Sequence, residues 1–544
     1  MNAFLHHLPI VPIAVPMGAA AIMLLFPEDR RGARLSIAIG ASLIQLIVAF
    51  AMLVLTTDAV TSFWPEGIGV YAIGSWGAPF GIVLVVDRLT ALMLALNAVL
   101  GLAVVVHSTA RWDRIGVHYQ PLLQFLMLGL NGAFLTGDLF NLFVFFEILL
   151  AASYGLLLHG GGKTRVKMAL HFVVVNLVGA FAFLIGVAML YSVLGTLNMA
   201  DIAARWDTLP VADRGLAGTG AAVLAIAFLI KAGSWPLNFW LPNTYSIAAA
   251  PVAAAFANAT KVGIYAILRL NSLVDTNGAS FGEGWLFGLA VSTMLFGIVG
   301  MLAARQLSRL IAFTVVLSSG TLLGAAGMGS PSMVAPALFY LVGSVMASGA
   351  FFMLAGMTER MRTATAQAPD EDPGQASYDA FAMGVPPVPR SADEEVGIAI
   401  PAAMAFLGLA FVCCALLVTG LPPLSGFVAK FALVAAAIKA PDISATPAWQ
   451  AWTLVTLVLV GGLAGLIALA RAGMRLFWSV TDRNTPRLSV LESAPLAFLI
   501  LVCLLLTAGA RPAMRYFEDA ARDLAQPRAY IHAVLGEPPV QAPR

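Results

Sequence analysis

The chain has 544 residues, of which 60% are hydrophobic and only 11% charged, with a formal net charge of +2. A soluble domain carries about 45–50% apolar and about 25% charged residues, so this much apolar surface cannot be hidden inside globular cores and most of the chain is expected in lipid. The near-neutral balance offers no field for nucleic acid, and Cys413, Cys414 and Cys503 lie in apolar runs without ligand spacing, leaving disulfide scaffolds, iron–sulfur clusters and zinc sites unsupported.

Apolar stretches of about 20 residues cross about 30 Å of hydrocarbon. Fourteen begin near residues 8, 35, 83, 121, 140, 168, 218, 250, 285, 308, 333, 398, 451 and 493. The first has neither a basic n-region nor a small-residue cleavage site and reads as a retained helix, not a signal peptide. Lys and Arg concentrate on the cytoplasmic side of short loops. Here Arg30, Arg31 and Arg34, then Arg111 and Arg114, Lys163, Arg165 and Lys167, Arg305 and Arg309, and Arg471, Arg475, Arg483 and Arg487 all follow odd-numbered spans. The loop 57–82 carries Asp58 and Glu66 and no basic residue. A bacterial inner-membrane protein with both termini outside fits this alternation, against two exceptions: Arg205 and Arg214 in segment 196–216, and Arg511 and Arg515 after the last span.

Two pieces do not span. Residues 358–396, rich in Pro, Ala, Asp and Glu, read as a flexible cytoplasmic loop. After the last span, Met514, Phe517, Ala521 and Leu524 recur at helical spacing, as in a short helix lying in the interface plane.

An ionisable residue at mid-bilayer costs about 2.5–3.5 kcal/mol on insertion scales, so those present need a use. Three of the six lysines, Lys231, Lys261 and Lys430, sit in apolar sequence, whereas the arginines lie almost entirely in loops or at span ends. Arginine does not deprotonate in a protein; buried lysine does, and can load and unload a proton. One carboxylate joins them, Glu147, in DLFNLFVFFEILLAASYGLL. A Glu–Lys couple serves either as a static ion pair that fixes helix packing or as a proton gate, and three lysines for one carboxylate favour the gate. Asn258, Lys261 and Tyr265 share one helical face, and Ser234, Asn238 and Asn243 follow Lys231. His171 is a further candidate relay, although a lone helical histidine is more often a packing residue; Asp87, Asp138 and His159, near span ends, read as caps or snorkelling groups.

Helix breakers occur at depth. SWPLNFWLPN places Pro236 and Pro242 just after Lys231, and TGLPPLSGF places Pro422 and Pro423 just before Lys430. Irregular backbone inside a membrane is tolerated only where it is buried in protein or lines a watery cavity, and discontinuous helices in corresponding halves mark ion paths. The expected fold is therefore all-α and polytopic, with inverted five-helix repeats (spans 4–8 and 9–13) whose helices 7 and 12 are broken. The segments are 1–110 (N-terminal helices), 111–275 (first repeat), 276–475 (second repeat) and 476–544 (last span and tail).

At these residues the sequence resembles the antiporter-like subunit family shared by Mrp-type multisubunit cation/proton antiporters, respiratory complex I and membrane-bound hydrogenases, over roughly residues 80–480. The segments GDLFNLFVFFEILLAASYGLLL and KAGSWPLNFWLP…ATKVGIYAILR look most like the Mrp D branch. The resemblance implies that Glu147 modulates Lys231, that Lys261 is the central relay group and that Lys430 is the terminal lysine of the broken twelfth helix. It departs at span eleven, where ALFYLVGSVMASGAFFMLAG has Gly343, Ser344 and Ser348 in place of the family's histidine and lysine.

The expected function is that of a proton-handling subunit of a hetero-oligomeric antiporter, exchanging protons for sodium or a similar monovalent cation alongside other subunits, without enzymatic activity, cofactor, metal site or nucleic-acid partner. The alternative is a proton-pumping membrane subunit of a redox complex, either a quinone-linked dehydrogenase or a hydrogenase. No carboxylate cluster resembles a sodium cage, so the cation's route through a partner stays open.

Overall fold

The structure is a computed structural model that describes residues 5–27, 29–57, 63–116, 118–206, 208–274, 283–366, 402–443, 446–477 and 488–536. Its first helices are α1 (Val11–Leu25) and α2 (Arg31–Leu55). A hairpin follows, β1 (Gly69–Ala72) and β2 (Val83–Val86), antiparallel with Gly69 opposite Val86. Next come α3 (Arg88–Thr109), α4 (Tyr119–Leu135), α5 (Leu139–Leu158), α6 (Lys163–Leu194), α7 (Met199–Trp206), α8 (Val211–Ala232), α9 (Trp240–Ile247), α10 (Ala250–Ala259) and α11 (Lys261–Val274). The second half holds α12 (Glu283–Ala303), α13 (Leu307–Gly327), α14 (Val334–Ala366), α15 (Ala402–Thr419), α16 (Ser425–Ile443), α17 (Ala448–Phe477), α18 (Val490–Ala508), α19 (Ala510–Ala525) and α20 (Arg528–Gly536).

Thirteen helical stretches among the described residues are long and apolar enough to cross a membrane, against fourteen expected. The shortfall is α4, whose 17 residues rise only about 26 Å before Thr136 turns to extended backbone. The span expected from residue 83 starts at Arg88 instead, because the Asp87 carboxylate accepts the Thr90 amide at 2.9 Å and caps the helix. The four residues of β2, all buried, are strand, and hydropathy cannot tell a buried strand from the first turn of a helix. The hairpin belongs to a small extended layer closing one end of the bundle: the Gly137 amide donates to the Val83 carbonyl at 2.9 Å and the Met199 amide to the Gly137 carbonyl at 2.8 Å.

The basic loops converge at the opposite end. Arg31 pairs with Asp113 at 2.7 Å, Arg360 with Glu492 at 2.7 Å, and Arg165 donates to the Ile247 carbonyl at 3.2 Å. The exceptional arginines of 196–216 are satisfied locally: Arg205 bridges Asp201 at 2.9 Å, and Arg214 donates to the Leu209 carbonyl at 3.2 Å.

The expected helix of Met514, Phe517, Ala521 and Leu524 is present as α19, with Phe517, Ala521 and Leu524 buried against the bundle and Phe517 edge-on to Phe339 at 5.7 Å. One expectation is corrected. Residues 358–366 are not loop: α14 runs on to Ala366, and 367–396 lie outside the described residues.

Candidate functional site

Both breaks are built alike. Helix α8 ends at Gly233 (φ +69°) and α15 at Gly420 (φ +77°), left-handed conformations that glycine adopts without Cβ strain. In each, an amide reaches five residues back: Ser234 to Leu229 at 3.0 Å and Leu421 to Leu416 at 3.1 Å, the closure that terminates a helix. Pro236, Pro422 and Pro423 lie in the gaps that follow, where their missing amides forbid continuation. Pro242 does not: it sits in the first turn of α9, a position that tolerates proline, and marks no break.

Lys231 occupies the last turn of α8, half-buried, with its ammonium over the Phe146 ring at 5.5 Å. Glu147, also half-buried, follows Phe146 on α5. No ion pair within 4 Å joins it to Lys231. The two expected partners are thus near in the fold but not in contact as a salt bridge. Of the polar residues after Lys231, Ser234 meets the hydroxyl of Thr293 on α12 at 3.1 Å, and Asn243 donates to the Phe239 carbonyl at 3.5 Å. Buried polar atoms without a partner gather here: Asn238 Nδ2, Trp240 Nε1 and Thr244 Oγ1.

Lys261 opens α11 and is 1% exposed. Its Nζ donates to Ser318 Oγ and Ser319 Oγ of α13, both at 3.1 Å. Ser318 in turn donates to Ser344 of α14 at 3.0 Å. The partners expected on its own face are engaged elsewhere, Asn258 with Asn97 at 3.1 Å and Tyr265 with the Phe134 carbonyl at 2.6 Å. The visible sequence signal for the true partners was the serine pair inside an apolar span. Lys430, on α16, reaches back across the break and donates to the Val418 and Thr419 carbonyls at 3.0 and 2.7 Å. His171 is not brought to this line: it is exposed on α6, edge-on to Phe239 at 5.3 Å.

Three features have no counterpart among the sequence-based expectations. Arg269, inside an apolar span, forms a two-bond pair with Asp87 at 2.6 and 2.7 Å, under the ring of Tyr530 from α20. A buried amide chain runs from Asn258 to Asn97, from Asn97 to Asn131 at 2.7 Å and from Asn131 to Gln45 at 3.0 Å, joining α10 to α2. At the basic end, a cavity of about 260 Å³ is lined by His107, Arg111, Arg165, Glu359 and Glu492 and reaches in to Tyr245, whose hydroxyl donates to the Phe256 carbonyl at 2.8 Å. Among the described residues no group of three His, Cys, Asp or Glu is placed to hold a metal.

Residues 136–370 match the family described as NADH:quinone oxidoreductase/Mrp antiporter, transmembrane. Over its full length the chain is 47% identical to a Rhizobium meliloti protein named as the probable D subunit of a K(+)/H(+) antiporter, covering 99% of each. It is 32% identical to the D subunit of a Na(+)/H(+) antiporter from Bacillus subtilis, over 98% of this chain and 100% of that one. Among solved structures it is similar to a chain of the Mrp complex from Dietzia sp. DQ12-45-1b, with a TM-score of 0.81 and 25% identity over 98% of this chain and 99% of that one.

Proposed function

The chain belongs to the family of D subunits of multisubunit cation/proton antiporters, and we propose from this that it is the proton-translocating subunit of such a complex, working beside other subunits and exchanging protons for K+ or Na+. The proton line we assign runs from Glu147 and Lys231 through Lys261 to Lys430. One observation carries this reading: each lysine is held by neutral groups, Lys231 by a ring, Lys261 by two hydroxyls and Lys430 by two carbonyls. A carboxylate in contact would favour the charged amine alone, whereas neutral partners and water leave both protonation states within reach. The spaced Glu147 then biases Lys231 without locking it.

The two matching helix breaks support reading spans 4–8 and 9–13 as a repeated unit. On the distribution of Lys and Arg, the basic end faces the cytoplasm and both termini the outer side of the cell membrane. His171 has no part in the line. Full-length likeness to antiporter subunits favours antiport over the redox-complex alternative.

The test is proton movement in everted vesicles carrying the whole complex, driven by added K+ or Na+. Glu147→Ala, Lys231→Ala, Lys261→Ala and Lys430→Ala are each expected to abolish it with assembly intact. Wild-type rates in all four would overturn the reading.

A further inference from the structure

Arg214 breaks the rule that keeps Lys and Arg to one end of the molecule: it lies in the first turn of α8, at the hairpin end. It is exposed, its Nε donates to the Leu209 carbonyl at 3.2 Å, and its two terminal nitrogens have no partner among the described residues. Inward from it, an open cleft runs between α6, α7, α8, α11 and α12. Ala221, Ala225 and Phe228 line the cleft and stand 7, 11 and 14 positions after Arg214, so all four share one face of α8. The two alanines leave the groove open, and Asn271 is the one amide side chain on walls that are otherwise apolar or aromatic. Trp206 and Trp285 border it at the hairpin end, as indoles do where a membrane meets water. From Arg214 to Phe228 a helix rises about 21 Å, and one leaflet with its headgroups is about 20–22 Å deep. A cation at the surface followed by an apolar groove to mid-membrane is the order of groups along a phospholipid.

We propose that this cleft binds one phospholipid, of the outer leaflet on the orientation given above, with its phosphate on the Arg214 guanidinium and one acyl chain lying over Ala221 and Ala225 as far as Phe228. Guanidinium nitrogens donate strongly to phosphate oxygens, which gives an exposed arginine at this end its use. Asp213, its exposed neighbour on α8, offers a carboxylate to the amine of an ethanolamine headgroup and favours a zwitterionic lipid over an anionic one. The chain ends against Phe228, whose ring meets Phe146 edge-on at 6.2 Å, and Phe146 is the ring beneath Lys231. Lipid in the cleft therefore packs behind the aromatic wall that carries this lysine.

The test is photolabelling of the whole solubilised complex with phosphatidylethanolamine carrying a diazirine midway along one acyl chain, titrated below saturation and mapped by peptide mass spectrometry. Wild type should be labelled at Leu224, Ala225 or Phe228 of α8 or at Ile267 of α11. Ala225→Phe fills the groove and should weaken that labelling at least about tenfold, the loss expected for two displaced methylenes. Arg214→Ala should weaken it about fivefold, the contribution of one arginine to an interfacial phosphate. A diacylglycerol with the same diazirine chain lacks the phosphate, and should label weakly and equally in wild type and Arg214→Ala. Should Ala225→Phe fail to assemble, Arg214→Ala decides, because it alters only an exposed position. Wild-type labelling in the variants, labelling confined to residues outside the cleft, or labelling by the diacylglycerol as strong as by the phospholipid overturns the proposal. So does a map of the complex in which a partner subunit's side chains fill the cleft.

Discussion

The ammonium of Lys430 donates to the carbonyl of Thr419 at 2.7 Å, so a lysine from one half of the broken helix satisfies the end of the other half. Its removal leaves the Val418 and Thr419 carbonyls without their donor, at about 1–3 kcal/mol for each buried group left unpaired. Lys430→Ala is expected to lower the melting temperature of the solubilised complex and to stop transport. Lys430→Arg separates the effects, because arginine supplies donors but does not release a proton. Melting should recover while transport stays lost, and proton transport by Lys430→Arg would show that this position need not deprotonate.

Glu147 makes no direct ion pair among the described residues, so Glu147→Gln should change the melting free energy by less than about 1 kcal/mol while transport collapses. A large loss of stability in this variant would instead return Glu147 to a static, packing role.

The breaks depend on two glycines with positive φ. Gly420→Ala and Gly233→Ala should each cost at least about 1–2 kcal/mol, the strain of placing a side chain in the left-handed region, to which the new Cβ adds a collision with Lys430 and with Leu241 respectively. Gly408→Ala, inside α15 with open space around it, should be neutral or stabilising by up to about 1 kcal/mol, since alanine is the better helix former. Thermal melts of the three variants check the order.

Asp87 and Arg269 are both buried, 5% and 4% exposed, and removing one partner strands the other's charge. Asp87→Asn should cost about 3–5 kcal/mol, with Asp87→Leu combined with Arg269→Met recovering most of it. Asp519→Ala breaks the pair with Arg522, whose side chain is 75% exposed and stays hydrated when its partner is lost, and should cost no more than about 1 kcal/mol. Equal effects at Asp87 and Asp519 would contradict this difference in burial.

Asn131 is the hub of the amide chain: it accepts from Asn97 and donates to Gln45 and to the Pro12 carbonyl at 2.9 Å. Asn131→Ala should destabilise the packing of α1 and α2 on α4 by about 2–3 kcal/mol, seen as faster proteolysis of the N-terminal helices. Unchanged proteolysis would mean that other partners take up the freed amides.

The chemistry of the candidate site was legible because a lysine in an apolar run is conspicuous, and so were the breaks at Pro236 and at Pro422 and Pro423. Pro242 misled because proline has the same identity in a gap as in the first turn of a helix, and only backbone conformation separates the two. His171 misled because an apolar helix has the same composition whether a residue faces the bundle or its outer surface. Arg269 and the amide chain were missed because their partners are far away in sequence: Asp87 is 182 positions from Arg269, and Asn97 is 161 from Asn258.

Composition, span length and the sorting of Lys and Arg determined by themselves that this chain crosses a membrane many times and keeps few ionisable groups within it, because charge in hydrocarbon is unfavourable at each residue that carries it. Which neighbours those groups meet was decided only by tertiary structure. The ring beneath Lys231, the serines around Lys261 and the carbonyls before Lys430 come from other turns and other helices, and helix packing, not local sequence, brings them within reach.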